Sequence, residues 1–200
     1  MSEAETVPLT IEDGTRAVEI AREAVTSFVE SGRRPQLGSM REAFYERTGA
    51  LVRLESTRGP GRLRGCAGAY RGSEQLGHAI VDAAIEAASE DSCGSEVSAA
   101  ELPNLRVSVC VVGDLILTDD PVADMQIGTH GVAVEYGSDG GWLWPTVPEE
   151  HGWTPEQCLD RTCRVSNLSP TTWQREDALT TLFEGRVFRE REPNGSVESL

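Results

Sequence analysis

With 200 residues the chain can build one well-packed core or two small subdomains, and its 18 basic side chains, every one an arginine, face 33 acidic ones for a net charge of −15. So acidic a chain has no basic footprint for a nucleic-acid backbone, and it has neither a run of about 18 apolar residues nor a basic-then-apolar leader, so no nucleic acid, membrane span or secretion is expected and the cytosol is the expected compartment. Self-repulsion of this size is relieved by salt, which screens charges to about 3 Å at 1 M; the acid excess points to a haloadapted cytoplasm, while the lack of lysine fits a GC-rich genome equally well. The folded unit is expected over residues 9–190, with 1–8 and 191–200 as polar, acidic tails.

In chain order, residues 10–30 place Ala17, Val18, Ala21, Ala24, Val25 and Phe28 at helical spacing, with Thr10 as N-cap and Gly32 as stop. Leu51 to Leu54 reads as a strand, Thr57 to Gly61 as a Gly/Pro turn, and Leu63 to Tyr70 as the returning strand. Ser73 is placed to cap a helix whose Leu76, Ile80 and Ala84 face inward. That helix ends near Glu90 and Asp91, acids that oppose its dipole unless a cation or an arginine such as Arg64 stands near; the alternative is a pair of solvated surface carboxylates. Leu105 to Val112 alternates and then runs apolar like a central strand, and residues 131–136 and 142–144 read as a hairpin. Pro145, Pro148 and Glu150 form a rigid segment after it that borders a cleft, or a loop shaped by proline alone. Thr154-Pro155-Glu156-Gln157 carries N-cap, first-turn proline and capping-box signals for a helix reaching Val165. Trp142, Trp144, Trp153 and Trp173 read as core and subdomain interface, not as a base-stacking surface, because the chain is acidic.

Five cysteines contain no Cys-x-x-Cys pair and three scattered histidines supply no ligand spacing, so no metal site is expected and the thiols are mostly core filler. One of them stands apart. Leu63-Arg64-Gly65-Cys66-Ala67-Gly68 sets a guanidinium two residues from a thiol, between glycines that admit backbone or a ligand. Arg64 offers a planar fork for carboxylate or phosphate and favours the Cys66 thiolate; alternatively it forms a salt bridge to one of the many acids, and Cys66 is a small buried hydrophobe. The two side chains share a face only while the segment stays extended. The fold class read from these elements is α+β, with a sheet of antiparallel and mixed strands and helices packed on it.

The hexapeptide resembles the hallmark of the AMMECR family, the AmmeMemoRadiSam system protein A family, with Ala67 where isoleucine is usual. Further segments resemble it in the same order: residues 49–54, 83–91, 105–109, 128–134, 141–147, Gly152-Trp153, Cys163, 168–173 and 183–188. Departures are Ser92-Cys93-Gly94 in place of Pro-Arg-Phe, Thr146 in place of Gln or Glu, and Asn167 in place of Gly. The resemblance implies a larger and a smaller α+β part with the hexapeptide in a cleft, and a pathway shared with Memo-like and radical SAM proteins. Two classes of function follow from it. In one, a small anionic ligand or substrate meets Cys66 as nucleophile or contact and Arg64, Gly65, Gly68, Glu90, Asp91 and Glu150 as binding residues, with no cofactor specified. In the other, the motif is a tight structural corner of a non-catalytic interaction module.

Overall fold

The computed structural model describes residues 9–36, 39–58, 62–89 and 95–200. Contacts divide the chain into two compact units, residues 1–111 with 187–200 and residues 112–186.

The first unit begins with α1 (Ile11–Ser31), capped as its sequence predicts. Thr10 Oγ1 accepts the Asp13 N–H, Asp13 answers by accepting the Thr10 N–H, and Gly32 closes the helix at φ 65°. β1 (Ala50–Ser56) and β2 (Arg62–Ala69) follow, then α2 (Leu76–Ala88) and β3 (Leu105–Thr118). β1 lies between β2 and β3 and pairs antiparallel with both. One face of this sheet, with Ala50, Val52, Leu54, Val107 and Val109, is sealed by the apolar stripes of α1 and α2 into a single core. The N-cap of α2 is Gln75 and makes no side-chain cap bond. Ser73, expected to cap it, stands too far upstream, and its carbonyl instead accepts a hydrogen bond from Arg47 Nη1 at 2.8 Å. Arg22 of α1 reaches the Leu105 carbonyl and the carboxylate of Glu190, which also accepts the Val107 N–H at 3.0 Å. Helix and sheet are thereby joined by a buried charge-assisted network.

The second unit holds the outer half of β3, a short α3 (Pro121–Asp124), the hairpin β4 (His130–Tyr136) and β5 (Asp139–Leu143), α4 (Val147–His151), α5 (Pro155–Val165) and most of β6 (Leu179–Glu190). β4 pairs antiparallel with both β5 and β6. Its core gathers Val132, Val134, Leu143, Leu159 and Leu182, with Trp153 and Trp173 packed against it. The segment read as rigid, or else as a proline-shaped loop, forms the short helix α4, because Pro148 sits in the first turn, where a missing N–H costs nothing. Asn167, at φ 58°, takes the left-handed position after α5, the conformation that glycine adopts most easily and asparagine next.

The last residues differ from the tail expected of 191–200. β7 (Val197–Ser199) folds back on the end of β6, and Glu198 accepts hydrogen bonds from Arg189, at 2.9 Å from Nη2. Alternating polar residues read as a tail by composition; paired on an edge they are an ordinary solvent-facing strand.

Candidate functional site

The hexapeptide occupies β2, and its neighbours follow from the register. Cys66 stands opposite Arg53, which stands opposite Ser108, so the three form one row across β2, β1 and β3 on the face turned away from the helices. The next row on that face sets Glu55 opposite Arg106. Glu55 holds both guanidinium groups, Arg53 Nη2 at 3.0 Å and Arg106 Nη2 at 3.1 Å, and its side chain is 8% exposed. Arg106 Nε is buried with no hydrogen-bond partner. Beside Cys66, then, stand Arg53 and, one row on, Arg106, both paired with Glu55, while Glu198 also lies within electrostatic reach of Arg106.

Arg64 is engaged differently. The register skips it, with Gly65 opposite Leu54 and Leu63 opposite Glu55, so the extended stretch that would align Arg64 with Cys66 is interrupted by a bulge. Its fork grips Glu101 through Nε at 2.5 Å and Nη2 at 3.2 Å. Glu101 is further held by the Ser98 N–H and hydroxyl at 2.9 and 3.0 Å. The Arg64 hydrogen bonds, then those from Ser98, outweigh desolvation and pull the Glu101 carboxyl down to about 2. Arg64 thus ties β2 to the segment before β3, the salt-bridge alternative open to it in the sequence.

Gly68 has φ 121°, and a Cβ there would lie 2.1 Å from the Ala50 carbonyl oxygen. The neighbouring strand fills the space that the missing side chain leaves. A groove of about 180 Å³ reaches the motif at Gly68, and charged residues bordering it are Arg71, Glu74, Asp82 and Glu86, a set that does not suit an anion. Gly65 is buried on β2. Glu150 belongs to the second unit, where its carboxylate accepts the Thr146 hydroxyl at 3.1 Å. Glu90 and Asp91 lie outside the described residues, as does Cys93.

The thiols separate by environment. Cys66 is half-buried, whereas Cys110, Cys158 and Cys163 are buried. Burial pushes all three buried thiols up, Cys158 to about 11, and the proximity of Cys66 adds to the rise at Cys110. Among the described residues no group of three or more His, Cys, Asp or Glu is arranged to hold a metal. Nor is any described helix long and apolar enough to cross a membrane. Arg53, Glu55, Arg106 and Glu101 are the residues that sequence reasoning did not select. An arginine inside the apolar run Leu51 to Leu54 was the available signal for Arg53.

A family profile described as AMMECR1 matches residues 18–188. The chain belongs to the AMMECR1 family. A protein of Halobacterium salinarum is 59% identical to this AMMECR1-family chain over all of it and 99% of its own length. One from Aeropyrum pernix is 39% identical over 92% of the chain and 82% of its own length. The crystal structure of an uncharacterised protein from Pyrococcus horikoshii, 30% identical, superposes with a TM-score of 0.88 over 96% of this chain and 98% of that one. The α+β architecture is thus that of a solved AMMECR1-type relative, and the hexapeptide lies on its second strand here.

Proposed function

We propose that the protein binds a small anionic ligand, a carboxylate or phosphate, at the row formed by Cys66 and Arg53, with Arg106 contributing charge and the Cys66 thiol as the group in contact with the ligand. The observation that carries the reading is the pair of guanidinium groups, Arg53 and Arg106, on the same sheet face as the half-buried thiol. A nearby fixed cation favours an anion and a thiolate alike, and more so where water is partly excluded. The anchoring role passes from Arg64 to Arg53 because Arg53 stands in the Cys66 row, whereas the Arg64 fork reaches out of that row to Glu101. The binding roles expected of Glu90, Asp91 and Glu150 are no part of this proposal, since the first two lie outside the described residues and Glu150 belongs to the second unit. Family membership supports placing this ligand in a pathway shared with Memo-like and radical SAM proteins, in the cytosol.

A second reading has its own support. The Arg64–Glu101 pair and the filled space at Gly68 are what a structural corner requires, and an interaction module would need no more from the motif. Peptide mapping after alkylation at neutral pH separates the two. The ligand-site reading expects Cys66 to react well ahead of Cys110, Cys158 and Cys163 and to be protected by millimolar inorganic phosphate or a small carboxylate. Equal, slow reaction of all four, or labelling of Cys66 that no anion slows, would favour the structural corner.

A further inference from the structure

The outer half of β3 breaks the pattern of its inner half. Residues 105–112 are buried or half-buried, and β1 pairs with β3 only as far as Val111. From Gly113 the strand goes on with no described strand on that side, and Leu115, Ile116 and Leu117 are 44%, 39% and 68% exposed. Successive residues point to opposite faces, so three consecutive exposed aliphatics leave apolar surface on both faces of a strand whose outer backbone edge is paired with no strand among the described residues. Leu179, at the start of the neighbouring β6, adds to it at 52%. Edge strands of stable proteins are ordinarily blunted by a charge, a proline or a bulge in the middle; here the middle is Leu-Ile-Leu and the charges stand at the ends. Those charges are all of one sign. Asp114, Asp119 and Asp120 frame the run, and no arginine occurs between residues 113 and 124.

We propose that this edge is a docking site for an extended segment of another protein, a strand with alternating aliphatic side chains and lysine or arginine at its ends, added antiparallel or parallel to β3. Main-chain hydrogen bonds to residues 113–117 supply affinity, Leu115 and Leu117 on one face and Ile116 on the other pack its apolar residues, and the framing aspartates select the basic ends. A second copy of this chain fits poorly. Antiparallel self-pairing about Ile116 would set Asp114 opposite Thr118 and Val112 opposite Asp120, placing the Asp120 carboxylate of one copy diagonal to Asp114 of the other on the same face.

The test uses the full chain and four labelled synthetic peptides: a Val-Thr-Val-Thr-Val core with arginine ends, the same core with glutamate ends, a Gly-Ser core with arginine ends, and the first peptide with alternate amides N-methylated. Fluorescence anisotropy at physiological ionic strength is read together with amide exchange at residues 113–117. The expected result is binding of the first peptide at least about tenfold tighter than the other three, slower exchange at Leu115 to Leu117, and loss of both in Leu117→Glu, an exposed change that leaves the fold intact. Equal binding of the Gly-Ser peptide would reduce the effect to the charge of the chain and overturn the proposal. So would no binding of the first peptide, or concentration-dependent dimerisation abolished by Leu117→Glu, which would make a second copy the occupant.

Discussion

Arg64 and Cys66 are two residues apart and do different work. The Arg64–Glu101 pair carries a pH signature whose direction follows from the lowered carboxyl. Glu101 falls from an ordinary value of about 4.5 to about 2, so its contribution is fully present above about pH 4.5 and is lost as pH falls towards 2. Melting temperature measured from pH 6 to 2 should therefore drop in the wild type, and Glu101→Gln should show a shallower drop with a lower plateau at neutral pH. An identical slope in the variant would contradict the pairing. Arg64→Lys keeps the charge but cannot reproduce the two-toothed grip, and should lose about 1 kcal/mol by chemical denaturation. At Gly68 the positive φ and the Ala50 carbonyl leave no room for a methyl group, so Gly68→Ala should cost at least about 3 kcal/mol. Cys66→Ala, by contrast, should fold with at most about 1–2 kcal/mol lost, while Cys66→Ala and Cys66→Ser both fail in a complementation assay; an active Cys66→Ala protein would remove the thiol from the ligand site.

At the scale of elements, legibility depended on whether the signal was local. α1 and α5 were readable to within a residue because their caps are short-range chemistry, Thr10 with Asp13 and Thr154 with Gln157. The candidate site was only half readable. Which residue faces Cys66 depends on the register between β1 and β2, and register is fixed by packing of the whole sheet and by the bulge at Arg64, neither of which has a sequence spacing of its own. The outer half of β3 was missed for the opposite reason: Leu115 to Leu117 lack the alternation of a half-buried strand because neither face is buried within the chain. β7 was missed because a strand paired on an edge needs few apolar residues. Caps and turns also allow a test at this scale. Thr154→Ala should cost about 1 kcal/mol, and Asn167→Gly should be neutral or stabilising by a few tenths of a kcal/mol where Asn167→Ala costs about 1 kcal/mol, all by denaturant titration. A stable Asn167→Ala would mean that the left-handed turn carries no strain.

For the whole molecule the decisive quantity is the charge of −15. Repulsion among 33 carboxylates and only 18 guanidinium groups opposes compaction at low ionic strength, so the melting temperature should rise markedly between low and molar salt, and a flat response would end the haloadapted reading. The same field repels small anions from the surface in general, and Arg53 with Arg106 is proposed to reverse it at Cys66. Relative rates of Cys66 alkylation by iodoacetate and iodoacetamide, normalised to a free thiol in the same buffer, read that local sign directly. A preference for the anionic reagent of about fivefold or more, abolished in Arg53→Gln, is the result the anion site predicts. A preference for the neutral reagent in the wild type, or the same ratio in wild type and Arg53→Gln, would contradict it.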